Sequence, residues 1–117
     1  MDLENAVAKH AEWKTKFRSA ISKQEQMDTA TISKDNCCDL GKWLHGEAKS
    51  KYSALDSYKD TVAKHAIFHA EAGKVASTIN AKKYSEAEGM IGSGTTYGSA
   101  SSAVGVAILK LKKEAAI

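Results

Sequence analysis

The chain contains no proline, and only 7% of its 117 residues are aromatic. Without proline, no helix is forced to end or kink for want of an N–H donor, and no stiff polyproline spacer divides the chain. The few aromatics are not interleaved with the basic residues, which removes the stacking platforms of a nucleic-acid binder. A charge excess of one sign is also missing: 17 lysines and arginines face 14 acids, a formal net charge of +3 with the two signs interspersed. The one dense basic stretch, Lys110, Lys112 and Lys113, reads as the C-terminal end of a helix, where cations complement the dipole. No apolar run approaches the ~18 residues of a membrane span. The start, Met1-Asp2-Leu3-Glu4, is acidic where a secretory signal would be basic. Cysteine is limited to the adjacent pair Cys37-Cys38, which a disulfide could bridge only as a strained small ring. The expectation is a reduced, cytoplasmic setting, in which a cysteine serves as a ligand or a reactive group.

What is present favours helices. Hydrophobic residues make up 43% of the chain, alanine, lysine and glutamate are abundant, and few segments alternate apolar with polar. Leu3, Ala6, Val7, His10, Phe17 and Ile21, with Trp13 and Ala20 beside them, mark a first helix of about twenty residues. Met27 to Asn36 is a polar connection. Asn36 can cap a short second helix through Cys38, Leu40, Trp43 and Leu44, closed by Gly46. Glu47 to Ser53 reads as a linker, and a third helix runs from near Leu55 to near Asn80. Ser85-x-x-Glu88 has the pattern of a capping box opening a fourth helix through Met90, Gly94, Tyr97, Ser101, Val104, Ile108 and Leu111. Interior glycines cost such a helix about 0.5–1 kcal/mol each, so a loop from Gly89 to Ser99 is the alternative. The apolar rhythm crosses the region in phase and favours a continuous helix. The expected fold is all-α: one domain over residues 1–117, an antiparallel four-helix bundle with three long helices and one short helix carrying a cysteine.

The third helix contains an anomaly. Its stripe of Leu55, Tyr58, Val62, Ala72, Ala76 and Ile79 lacks two steps, and His65 and His69 occupy them. Positions i and i+4 lie on one helix face, so both imidazoles should point into the core. A buried polar group without a partner costs about 1–3 kcal/mol. The pair is either hydrogen-bonded core or a metal chelate. His10 likewise falls on an apolar stripe, and Cys38 is either a small buried hydrophobe or a ligand. Together His10, Cys38, His65 and His69 could form a complete tetrahedral shell for one Zn2+ per chain. His45 lies outside any stripe and reads as exposed. Cys37 points about 100° away from Cys38 if both are helical, so the two thiols do not serve one ion. Asp39, Glu12 and Glu71 are candidates, by sequence proximity alone, to orient the imidazoles.

These elements resemble a known family, the chemoreceptor zinc-binding (CZB) domain. The likeness lies in His10 followed by Trp13, in Cys38-Asp39-Leu40-Gly41-Lys42-Trp43 as Cys-x-Leu-Gly-x-Trp, and in His65-Ala66-Ile67-Phe68-His69 as His-x-x-x-His. The small-residue segment from Gly94 through Ile108 to Leu111-Lys112 is similar to the family's last helix. The resemblance implies zinc on His10, Cys38, His65 and His69, and dimeric assembly. It also implies a place at an end of a soluble chemotaxis receptor or in control of a diguanylate cyclase, sensing zinc or oxidants such as hypochlorous acid through the thiolate. Cys37 is an addition to that pattern. So short a chain looks like a domain excised from a larger receptor.

A full protein shell leaves no open position for a water, which argues for sensing or structure and against an enzyme. The expected function is therefore a zinc-binding sensory domain whose Cys38 thiolate is the reactive group, with a reversible zinc-level sensor as the alternative. A hydrolytic zinc site, with Cys38 standing off and water in its place, has no convincing general base. A di-iron site would need inward carboxylates, and Asp60, Glu71 and Glu12 do not share the stripe.

Overall fold

Asp2 opens the first helix: its carboxylate accepts the Asn5 backbone N–H at 3.0 Å, and α1 runs Leu3–Lys23. In this computed structural model, which describes all of residues 1–117, α1 is followed by α2 (Thr29–Ile32), α3 (Asp39–His45), α4 (Glu47–Tyr52), α5 (Asp56–Asn80), α6 (Tyr84–Met90) and α7 (Thr96–Ala115), with no strand. The chain is all-helical, with three long helices as expected from the apolar spacing.

Those three helices form the frame. Thr61 on α5 donates to the Ala107 carbonyl of α7 at 3.0 Å, and Ser57 donates to Glu114 at 2.9 Å, so α5 and α7 run antiparallel. Phe17 meets Tyr97, and Lys112 pairs with Glu4, so α1 and α7 are antiparallel as well. Phe17, Phe68, Val75, Val104, Ile108 and Leu111 are fully enclosed between them.

The short elements differ from the expectation in five places. The supposed polar connection contains α2. It is held by Asn80, whose side chain accepts from Met27 N–H and donates to both the Met27 carbonyl and Thr29 Oγ1. The supposed linker from Glu47 to Ser53 is largely α4, whose Ala48 is fully buried. The cap of α3 is Cys38 rather than Asn36: its Sγ accepts the Gly41 N–H at 3.3 Å. The continuous fourth helix is interrupted. Gly94 adopts φ +79°, and Thr95 starts α7 afresh by accepting the Gly98 N–H on Oγ1 at 3.0 Å. Ser85 lies inside α6, which has no side-chain cap, so the capping box does not form. The local conformational freedom of glycine and the cap at Thr95 outweigh an apolar rhythm that carries across the break.

Candidate metal centre

Four side chains from three elements converge on one point. His10 comes from α1, Cys38 from the first residue before α3, and His65 and His69 from successive turns of α5. The Cys38 Sγ lies 3.8 Å from His10 Nε2, 3.3 Å from His65 Nε2 and 3.5 Å from His69 Nε2. His65 Nε2 lies 3.2 Å from His10 Nε2 and 3.0 Å from His69 Nε2. A tetrahedral zinc ion with bonds of about 2.0–2.1 Å to nitrogen and 2.3 Å to sulfur separates its ligands by about 3.4 Å (N···N) and 3.6 Å (N···S). Four of these five separations fall slightly inside those edges, the fifth, from Cys38 to His10, is slightly longer, and all four ligand atoms lie within 4.8 Å of one another.

The protonation pattern makes the same point independently. The His10 Nδ1 is 2.7 Å from the Ala6 carbonyl, one turn back on α1, and the His69 Nδ1 is 2.8 Å from the Ile32 carbonyl at the end of α2. A carbonyl can only accept, so both Nδ1 atoms carry the hydrogen and both Nε2 atoms present lone pairs to the centre. His65 Nδ1 is buried with no partner at all. If Nε2 of His65 carried the hydrogen, it could satisfy only one of its two neighbours. Several lone pairs and a sulfur facing one another call for a cation, and a neutral-imidazole, thiolate donor set suits Zn2+. The residues present fit one zinc ion.

Electrostatics follow from enclosure. Burial, reinforced by the neighbouring His69 and His10, pushes the His65 pKa down to about 3. Burial also lowers His10 and His69, against the raising effect of their carbonyl partners. Burial raises the Cys38 thiol, and the Gly41 N–H opposes it. In protein alone burial thus keeps the imidazoles neutral, as ligation requires, but it also keeps the thiol protonated; bound zinc would supply the charge that holds Cys38 as thiolate.

Two glycines set the elements in place. At Gly41 an added Cβ would stand 1.9 Å from the Asp35 carbonyl oxygen, so only glycine allows α3 to tuck under the preceding turn while its N–H reaches Cys38. At Gly73, one turn beyond His69, a Cβ would meet Ser33 at 2.6 Å, so glycine lets α2 approach α5 and bring its Ile32 carbonyl to His69. Tyr58 Oη donates to the Leu44 carbonyl at 2.6 Å and fixes the far end of α3. Phe68 closes the inner side, edge-on to both His10 and His69 at 5.2 and 5.4 Å between ring centroids.

The outer side is open at the sulfur. His10, His65 and His69 are 5%, 0% and 2% exposed, whereas Cys38 is half-buried. A cleft of about 470 Å³ reaches His10 and Cys38 between Trp13, Lys9, Lys16 and Asp39. The sequence-based site residues all meet here. His45 stays outside, exposed and 3.1 Å from Asp35. Cys37 is half-buried and its Sγ has one hydrogen-bond partner, Asn36 Oδ1, at 3.5 Å. Of the acids proposed to orient imidazoles, Glu12 and Asp39 are exposed and Glu71 pairs with Lys74. The orienting groups are instead two backbone carbonyls, which no residue type announces.

Comparison with known proteins gives one match: the family model described as the chemoreceptor zinc-binding domain covers residues 10–76, from the first histidine past the last. Most of the chain after α5's His-x-x-x-His turns, including α6 and α7, lies beyond it. No curated protein and no solved structure matches the chain significantly.

Proposed function

Because the chain belongs to the chemoreceptor zinc-binding domain family, we propose that it is a sensory domain whose zinc–thiolate bond at Cys38 responds to oxidants such as hypochlorous acid. His10, Cys38, His65 and His69 are its four zinc ligands. One observation carries this reading: Cys38 is the most exposed member of the shell, half-buried beside the cleft at Trp13 where the three imidazoles are at most 5% exposed. An oxidant entering there meets the thiolate first, and thiolates are the form that oxidants attack. Loss of the Zn–S bond releases the start of α3, whose cap is the same sulfur atom. That segment is the element whose position reports the chemistry to an attached chemoreceptor or diguanylate cyclase module.

In this reading residues 1–117 act as a single cytoplasmic domain of a larger receptor. The three long helices and the α3 segment are read as the antiparallel four-helix bundle expected from the apolar spacing. The complete protein shell supports sensing over catalysis, since it leaves no place for a reacting water. A homodimer is supported by Ile67, Val106 and Leu109 on α5 and α7, which are 50%, 55% and 48% exposed; light scattering that gives one-chain mass at micromolar concentration contradicts it.

The test is to treat the zinc-loaded protein with one equivalent of hypochlorous acid. The expected result is loss of the Cys38 thiol and of amide protection in α3. A Cys38 that stays reduced, or an unchanged α3, contradicts the switch. The neutral, preset imidazoles also favour a second reading, in which zinc occupancy itself is the signal in control of chemotaxis or a diguanylate cyclase. Zinc affinity far tighter than any free cellular concentration excludes it.

A further inference from the structure

We propose that Cys37 is the resolving thiol of Cys38, and that oxidation closes a reversible Cys37–Cys38 disulfide that takes the sulfur out of the metal shell. The proposal rests on the reading of Cys38 as the oxidant-reactive group, and goes on to assign a partner to the product. The structure gives Cys37 no other role: it is a free, half-buried thiol outside the cluster, whose one hydrogen-bond partner is its neighbour Asn36. Residues 33–38 form turns and bends rather than a helix, and Cys38 itself is extended at φ −81°, ψ 163°. This is backbone that can rearrange without breaking a helical ladder.

Crowding at the sulfur gives the direction. Cys38 Sγ has three imidazole nitrogens within 3.3–3.8 Å and the Gly41 N–H at 3.3 Å. A sulfenic oxygen has no room on that side, so the oxidised sulfur turns outward, away from the three histidines. The neighbouring thiol is tethered by a single peptide bond, and its attack is intramolecular, favoured over any thiol from solution by proximity.

The chemistry balances with a two-electron oxygen-transfer oxidant, a hydroperoxide or hypohalous acid. The Cys38 thiolate takes the oxygen atom from the oxidant, which is reduced to an alcohol, water or halide, and protonation gives Cys38–SOH. Cys37 Sγ then bonds to Cys38 Sγ as the Cys38 S–O bond breaks. The leaving hydroxide takes the Cys37 thiol proton and departs as water. Two thiols have lost two electrons in all. The product ring is strained, because Cα atoms about 3.8 Å apart are closer than the usual 4.4–6.8 Å of disulfides. Strained disulfides are the easily reduced, regulatory ones. The bond therefore resets under ordinary cellular thiols, and it shields Cys38 from irreversible sulfinic acid formation.

Trypsin cuts after Lys34 and Lys42, so one peptide carries both cysteines and no other. The zinc-loaded chain is treated with one equivalent of oxidant, alkylated, digested and weighed. The expected peptide has lost two hydrogens and takes no alkyl group; dithiothreitol restores both thiols and zinc binding. Cys37→Ser, which removes no zinc ligand, should bind zinc as before. On oxidation it should gain oxygen at Cys38, and a second equivalent should make the loss of zinc binding irreversible. If Cys38 is oxidised while Cys37 is still alkylated, or if Cys37 joins two chains, this inference fails and the oxidant reading of Cys38 stands. If Cys38 stays reduced, that reading fails and takes this one with it.

Discussion

His65 is the residue at which folding and function pull apart. It is fully buried on a stripe that otherwise reads Tyr58, Ala72, Ala76 and Ile79, and its Nδ1 has no hydrogen-bond partner. Without metal it is a polar group in a leucine position. His65→Leu should therefore stabilise the zinc-free protein by about 1–3 kcal/mol, the cost of an unsatisfied buried polar group, while abolishing stoichiometric zinc binding. Urea unfolding in chelator, beside metal analysis, checks both; a less stable zinc-free variant would show that His65 supports the core in some other way. The same burial makes stability depend on pH. The His65 pKa falls from 6.5 to about 3 on folding. Between those values the unfolded chain binds a proton that the folded chain refuses, so zinc-free stability falls as pH falls through that window. Zinc affinity moves the same way, because the ligands must be neutral imidazole and thiolate; zinc titrations that show no weakening from pH 7.5 to 5.5 would be contrary to this. The three histidines of the cluster were legible in the sequence because helical spacing puts a misplaced histidine in plain view, and Cys38 through the Cys-x-Leu-Gly-x-Trp pattern around it. Their orienting partners were not, because the carbonyls of Ala6 and Ile32 belong to every residue type alike.

At the scale of elements, what the sequence concealed is the short pieces. Helices α2 and α4 have 4 and 6 residues, too few for an apolar period to declare itself. The gap between α6 and α7 was hidden for the opposite reason, since the period continues across it: Ala87, Ile91, Tyr97 and Ala100 are all buried. The long helices needed no more than spacing. Yet the short pieces position the chemistry, and they depend on two glycines. Gly41→Ala drives a Cβ into the Asp35 carbonyl, a backbone atom that cannot swing aside, and so displaces Cys38 from its cap. Gly73→Ala pushes α2 off α5 and withdraws the Ile32 carbonyl from His69. Each should lower zinc affinity by about 10–100-fold, the usual effect of losing the groups that orient a ligand, with α5 helicity kept. Competition with a chromophoric chelator measures the first, and circular dichroism the second. Unchanged affinity in both variants would mean that the glycines serve packing alone.

For the whole molecule, the metal is a cross-link between elements distant in sequence. His10 on α1 and the His65–His69 pair on α5 belong to the frame that α7 also completes, whereas Cys38 attaches the α3 segment to it. Zinc at a hundredfold excess over its dissociation constant should add about 2.7 kcal/mol to stability, and chelation should remove it. The loss should fall unevenly: hydrogen exchange should quicken first in α2 and α3, and last in α5 and α7. Uniform quickening would mean that the ion supports the frame rather than clipping a movable piece onto it. X-ray absorption at the zinc edge of the loaded protein reads whether one zinc ion is held by three imidazoles and the Cys38 sulfur. One sulfur at about 2.3 Å and three nitrogens at about 2.0–2.1 Å are expected, with the sulfur shell absent in Cys38→Ala; a wild-type shell of nitrogen and oxygen alone would mean that Cys38 is not a ligand.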